Sequence, residues 1–216
     1  MRLFVALPLP AAVREEVGRR ITAERRRLPA ARWTPPENLH LTLVFLGPVD
    51  DERVEPLATE LAAAFAGHRP MTLCLRGAGC FPPPPPRGKA RRARVAWIGV
   101  EVEEGVERLE AVQHDVAAAA HRAVDFADEA RPFSPHLTLA RPREPWREEA
   151  VALFTAVFSP PAGDPFVVDH GLVMASQLGR GPGGSSLYRT LRSFPLAGGE
   201  APGSPPPAGR SPRGPA

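Results

Sequence analysis

The 216-residue chain reads as an α+β fold of two duplicated lobes, with two mostly antiparallel sheets flanking a central groove and helices on the outer faces. Three observations predict it. Strand and helix signals succeed one another without the regular alternation of a parallel doubly wound sheet. One tetrapeptide recurs letter for letter in the two halves. A composition of 43% hydrophobic and 24% charged residues is sufficient for one globular domain or two small lobes.

Residues 3–7 alternate as a first strand, and Val13, Val17 and Ile21 then recur every fourth residue as the buried stripe of a helix. Residues 39–46 form the next strand, closed by Gly47-Pro48. Asp50 or Asp51 is placed to cap a second helix that buries Leu57, Leu61, Ala64 and Phe65. Strands at residues 71–75 and 95–102 are separated by a loop rich in proline and arginine. A third helix carries Val106, Leu109, Gln113, Val116 and Ala120 on one face. The second half continues with a strand at 136–140, a helix at 146–157 with Ala150, Leu153 and Phe154 inward, and strands at 166–168, 172–177 and 188–194. The expected domain covers residues 1–196. Residues 197–216, with six prolines and five glycines, read as a disordered tail, and residues 81–94 as a Pro/Arg-rich loop.

Composition narrows the surroundings. Cys74 and Cys80 are too few for a disulfide framework and lack metal-ligand spacing, which fits a reducing, cytoplasmic compartment. No apolar run approaches the roughly 18 residues of a membrane helix. The apolar start is cut by Pro8 and Pro10 and runs into Arg14-Glu15-Glu16, so it reads as a strand and not as a signal peptide. Net charge is +3, and of the 27 basic residues only Lys89 is a lysine. Nearly every cation is therefore a planar guanidinium able to grip phosphate through two hydrogen bonds, although base composition of the genome accounts for the same bias. Arg87, Lys89, Arg91, Arg92 and Arg94 make an acid-free basic run that either attracts polyanions or is a solvated linker.

The repeat is His40-Leu41-Thr42-Leu43 and His136-Leu137-Thr138-Leu139, 96 residues apart. A specified tetrapeptide of this kind arises by chance about once in a hundred thousand positions, so internal duplication is the simpler account. Side chains alternate between the faces of a strand, so Leu41 and Leu43 enter the core while His40 and Thr42 share the other face, roughly 6–7 Å apart. His136 and Thr138 repeat the arrangement. A pseudo-twofold axis between the lobes would set the two pairs across one groove.

That quartet suits phosphoester chemistry. Two imidazoles can hold opposite protonation states near neutrality, one as base and one as acid, and two hydroxyls can donate to non-bridging phosphate oxygens. A single such motif is ordinarily a half-exposed histidine beside a β-branched residue; its duplication reverses that reading. A zinc site would need a third ligand, and neither motif supplies one, so no metal is expected. His68, His114, His121 and His170 lack a partner motif and read as surface residues.

The flanking residues extend the pattern. The opening Arg2-Leu3-Phe4-Val5-Ala6-Leu7, the runs Asn38-Leu39-His40-Leu41-Thr42-Leu43-Val44-Phe45-Leu46-Gly47 and Phe133-Ser134-Pro135-His136-Leu137-Thr138-Leu139-Ala140-Arg141, and the closing Ser176-Gln177-Leu178 through Tyr188 to Phe194-Pro195-Leu196 together resemble the two-histidine (2H) phosphoesterases. Within them, the chain is similar to the RNA 2′,3′-cyclic phosphodiesterases, also called 2′-5′ RNA ligases. The resemblance implies a bilobal fold with a V-shaped groove and hydrolysis of RNA 2′,3′-cyclic phosphate ends to 2′-phosphates. It implies His40 as proton donor to the departing 3′-oxygen and His136 as proton acceptor from water, roles that depend on which way the ribose lies. Thr42 and Thr138 would hold the phosphate oxygens. A 5′-hydroxyl in place of water would join RNA pieces through a 2′-5′ link. No nucleotide-activating lysine or phosphate-binding glycine loop is present, so no cofactor is expected. The implied partner is RNA with a cyclic phosphate terminus, such as a tRNA fragment, bound by a monomer. A small cyclic phosphate as substrate, or a binding module without catalysis, are the competing readings.

Other side chains have less regular placements. Arg141 resembles the cation that neutralises the phosphate, but strict alternation puts it on the face opposite His136 and Thr138. It reaches the groove only if the strand ends or bulges there, which Pro142 favours; the first copy has Phe45 at the equivalent place. Phe4 resembles the position where an aromatic ring stacks on the terminal base, with a core role as the alternative. Tyr188 and Trp33 are further aromatic candidates for the groove, against packing roles.

Overall fold

The computed structural model describes residues 1–83, 92–103, 105–127, 131–177, 179–181 and 186–198. In chain order their elements are β1 (Arg2–Pro8), α1 (Ala11–Glu24), β2 (Ala31–Trp33), β3 (His40–Pro48), α2 (Val54–Ala66), β4 (Met71–Phe81), β5 (Val95–Val102), α3 (Val106–Ala123), β6 (His136–Pro142), α4 (Glu148–Phe158), β7 (Phe166–Val168), β8 (His170–Gln177) and β9 (Leu187–Pro195). The residues expected as a tail lie outside this description beyond Gly198, as do residues 84–91 of the expected loop. None of the described helices is long and apolar enough to cross a membrane.

Each pairing among these strands is antiparallel, and they form two sheets of order β3-β1-β8-β9 and β2-β6-β5-β4-β7. The α+β expectation therefore holds, with the lobes woven rather than sequential. β8 and β9, late in the chain, complete the sheet that carries the first motif. β2, β4 and β5, from the first half, build the sheet that carries the second.

Helices α2 and α3 pack on one another and cover the first sheet, and α3 also touches β5. Helix α4 covers β4 of the second sheet. Helix α1 buries Val13, Val17 and Ile21 as its spacing requires. Its Arg20 donates hydrogen bonds to the carbonyls of Val157 (2.6 Å) and Pro160 (2.8 Å), tying it to the C-terminal end of α4, where a cation is favoured. The apolar faces merge into one continuous core that runs between both sheets and their helices.

Several boundaries differ from expectation. A 3-10 turn, Asp51–Arg53, leads into α2, and neither Asp50 nor Asp51 caps it with its side chain. β4 continues through Gly77 and Gly79 to Phe81, past the expected end at residue 75. α3 buries Leu109, Val112, Val116, Ala119, Ala120 and Ala123, while Val106 is exposed. Trp146 lies before α4, in a bridge to Ala93.

The close approach of α2 to β8 depends on one glycine. A Cβ on Gly171 would lie 2.1 Å from the Phe65 ring, which stacks on Phe194 at 5.8 Å. Gly171→Ala is expected to lower unfolding free energy by about 1–3 kcal/mol through overpacking. An unchanged denaturation midpoint would contradict this packing.

Candidate active site

The two motif strands belong to different sheets yet run close to one another, β3 at the edge of the first sheet and β6 inside the second. Their ladders match position for position. His40 lies opposite Pro8, Thr42 opposite Ala6 and Val44 opposite Val5; His136 lies opposite Gly99, Thr138 opposite Trp97 and Ala140 opposite Ala96. Directly after the threonine, each ladder skips a residue of the motif strand, Leu43 in β3 and Leu139 in β6; β3 skips a second, Leu46, further along. The repeated tetrapeptide thus ends on the same bulge in both copies.

This bulge inverts the phase of the remaining strand. Val44 and Ala140 turn to the core beside Val5 and Ala96, all four of them buried. The next residues, Phe45 and Arg141, return to the face of His40, Thr42, His136 and Thr138. Arg141 therefore reaches the groove face by the bulge that strict alternation leaves out, and it is exposed there.

Both imidazoles are oriented alike. His40 Nδ1–H donates to the Asn38 carbonyl at 2.7 Å, and His136 Nδ1–H donates to the Ser134 carbonyl at 2.7 Å. A carbonyl only accepts, so each Nδ1 carries hydrogen, and a proton taken up or given by either ring moves through Nε2. Asn38 is itself held by its side-chain amide, which donates to the Ser186 carbonyl at 2.8 Å.

Aromatic rings back each imidazole. Phe4 and Tyr188 lie 4.8 and 5.3 Å from the His40 ring. Phe81 and Trp97 lie 5.1 and 6.1 Å from the His136 ring. Trp97 can lie across β4 because Gly79 has no side chain; a Cβ there would meet the indole at 2.4 Å. Arg131 stands over the same cluster, 5.6 Å from the centre of the Phe81 ring. Thr42 and Thr138 project from the same strand faces as the histidines, each half-buried like its neighbouring imidazole. Phe81 and Trp97 carry no motif in the sequence; only their strand registers bring them to His136.

The placement of Phe4 corrects the expectation of base stacking. It is 2% exposed, closed in by His40, Tyr188 and Phe45, so it supports the imidazole and offers no open face to a base. Phe45 beside it is 57% exposed. Trp33 faces the core against Trp146 and Phe158, whereas Tyr188 lines the groove. The other histidines are engaged elsewhere: His68 and His114 with Asp115, His121 against Phe126, His170 with Asp169. No group of three or more metal-ligating side chains occurs among the described residues.

Burial pushes the His40 pKa down to about 4; its hydrogen bond to Asn38 opposes the shift, and charge on His136 adds to it. The two rings are thus electrostatically coupled, and a His40 titrating near 4 is neutral at pH 7. An NMR titration of His40 is expected to give a midpoint near pH 4 that moves up on adding a nucleoside 2′-phosphate, whose negative charge favours the imidazolium. His136→Gln should also raise it, by removing the like charge. A midpoint near the ordinary 6.5, or a downward move on adding the anion, would contradict the described environment.

Comparison with known proteins agrees with this geometry. A sequence model of the 2′-5′ RNA ligase superfamily matches residues 9–177. A protein of Geobacillus stearothermophilus named RNA 2′,3′-cyclic phosphodiesterase is 32% identical over 196 residues, covering 90% of this chain and 57% of that protein, so the chain spans little more than half of that relative. One of the same name from Escherichia coli is 34% identical over 200 residues, covering 90% of this chain and 96% of the other. Among solved structures, E. coli LigT complexed with 3′-AMP superposes with a TM-score of 0.67 at 30% identity, over 90% of this chain and 97% of that one. With the family match running through both motif strands and the fold shared along nearly the whole chain, this protein belongs to the 2′-5′ RNA ligase superfamily.

Proposed function

We propose that this protein hydrolyses the 2′,3′-cyclic phosphate at the end of an RNA strand to a 2′-phosphate, as a monomer in the cytoplasm and without a metal or organic cofactor. The observation that carries the reading is the twin arrangement of His40 with Thr42 and His136 with Thr138, on matching bulged strands, with both Nδ1 atoms bound to backbone carbonyls. The relatives named RNA 2′,3′-cyclic phosphodiesterase support the choice of substrate.

In the proposed reaction one histidine removes a proton from water as its oxygen attacks phosphorus. The bond from phosphorus to the ribose 3′-oxygen breaks, and the other histidine protonates that oxygen. The 2′-oxygen keeps the phosphate. Charge building on the non-bridging oxygens is met by the Thr42 and Thr138 hydroxyls and by Arg141, which the bulge at Leu139 returns to their side of the strand. His40 acts as proton donor and His136 as acceptor. Because burial holds the His40 pKa down at about 4, that division requires the anionic substrate itself to raise it on binding. With a 5′-hydroxyl in place of water as the nucleophile, the same steps form a bond from phosphorus to the 5′-oxygen as the bond to the 3′-oxygen breaks, which leaves a 2′-5′ link, so hydrolysis and ligation share one site.

Hydrolysis of an oligoribonucleotide ending in a 2′,3′-cyclic phosphate tests the reading, with the product identified by ³¹P NMR. His40→Ala and His136→Ala are each expected to cost about 10²–10⁴-fold in turnover. Thr42→Ala and Thr138→Ala should each cost about 10²–10³-fold. EDTA should leave the rate unchanged. A 3′-phosphate product, full activity in either histidine variant, or loss on chelation would contradict it.

A further inference from the structure

The short strand β2 adds something the motifs do not contain. It pairs with the end of β6 so that Trp33 lies opposite Ala140 and Arg32 opposite Arg141. Trp33 and Ala140 face the core, Trp33 against Trp146 and Phe158, so Arg32 and Arg141 both face the groove. Thr34 clamps the pairing at the bulge itself. Its amide donates to the Leu139 carbonyl and its hydroxyl to the Thr138 carbonyl, each at 2.8 Å.

Two guanidiniums are thereby held on directly opposed positions, with Cα atoms roughly 4.5–5.5 Å apart, at the open edge of the sheet that carries His136. Guanidinium is the group best matched to phosphate, and two of them side by side on one face extend that match over more than one anion. Arg32 stands one strand, roughly 4.8 Å, beyond Arg141 toward the edge of the sheet, and its long side chain carries the cationic face further outward from Thr138. The first lobe has nothing equivalent, because Phe45 stands where Arg141 does and β3 is itself the edge strand.

We propose that Arg32, beside Arg141, forms a second phosphate site that takes the internucleotide phosphate next to the cyclic end, so that the protein selects RNA strands of two or more nucleotides over mononucleoside cyclic phosphates. This rests on the phosphodiesterase reading above. Arg141 serves the scissile phosphate and Arg32 the one before it, and the strand leaves the groove across β2.

The test compares kcat/KM for adenosine 2′,3′-cyclic phosphate with that for the dinucleotide ApA ending in a 2′,3′-cyclic phosphate, and for the same dinucleotide with a neutral methylphosphonate between its nucleosides. The native dinucleotide is expected to be the best substrate by about tenfold or more, and the methylphosphonate to lose that advantage in the wild-type protein. Arg32→Gln should lower kcat/KM for the native dinucleotide about tenfold more than for the mononucleotide or the methylphosphonate, chiefly through KM, and flatten its salt dependence. Equal kcat/KM on all three substrates, or equal losses on all three in Arg32→Gln, would overturn the second phosphate site alone. Turnover of none of them by the wild-type protein would overturn the phosphodiesterase reading itself.

Discussion

The bulge at the end of each repeated tetrapeptide, at Leu43 in β3 and Leu139 in β6, governs what this protein presents to its groove. Ahead of the bulge, period-two alternation sends the leucines inward and the histidine and threonine outward. After it the phase inverts, so Val44 and Ala140 are buried and Phe45 and Arg141 come out. Without the extra residue Arg141 would point into an apolar core, an arrangement that costs several kcal/mol unless the charge is paired. The groove face and the core packing are therefore consequences of the same local irregularity, used twice, and so at β6 is the placement of Arg141.

The bulged strands converge because the lobes are interwoven. The first sheet needs β8 and β9 from the end of the domain, and the second needs β2, β4 and β5 from its first half. Neither motif can occupy its place until most of the chain has folded. Helix α1 and its Arg20, which caps α4 across the molecule, lock the same crossing from outside. The imidazoles are then fixed by short-range means, each through an Nδ1 hydrogen bond to the carbonyl two residues earlier and each against a pair of aromatic rings. Long-range topology brings the pairs together, and local hydrogen bonds set their tautomer.

Strong periodicity made much of this legible in the sequence. All four helices and eight of the strands announce themselves by spacing, and the repeated tetrapeptide names four side chains that share a groove face. β2 escaped because Ala31-Arg32-Trp33 lacks the β-branched residues that mark the equally short β7, Phe166-Val167-Val168. The far half of β4 escaped because Arg76-Gly77-Ala78-Gly79 lacks strand-forming residues; its glycines serve a bulge and the passage of Trp97. Burial of Phe4 was hidden for a different reason. It depends on Tyr188, which reaches it across β8 from a strand more than 180 residues later. Phe81 and Trp97 meet His136 only through cross-strand register, which no local pattern encodes.

The groove is symmetric in its histidines and threonines and asymmetric beyond them, with an exposed phenylalanine on one side and arginines on the other. A symmetric pair of imidazoles suits a reaction that needs an acid and a base on opposite sides of phosphorus, and the asymmetric flanks give the substrate a direction. All of it presupposes that both motifs address one phosphate. A titration with inorganic phosphate, monitored through the imidazole Hε1 resonances of His40 and His136, measures that directly. Both rings should respond together, with one equivalent bound and a single common Kd; response of one ring only, or two distinct constants, would contradict the account.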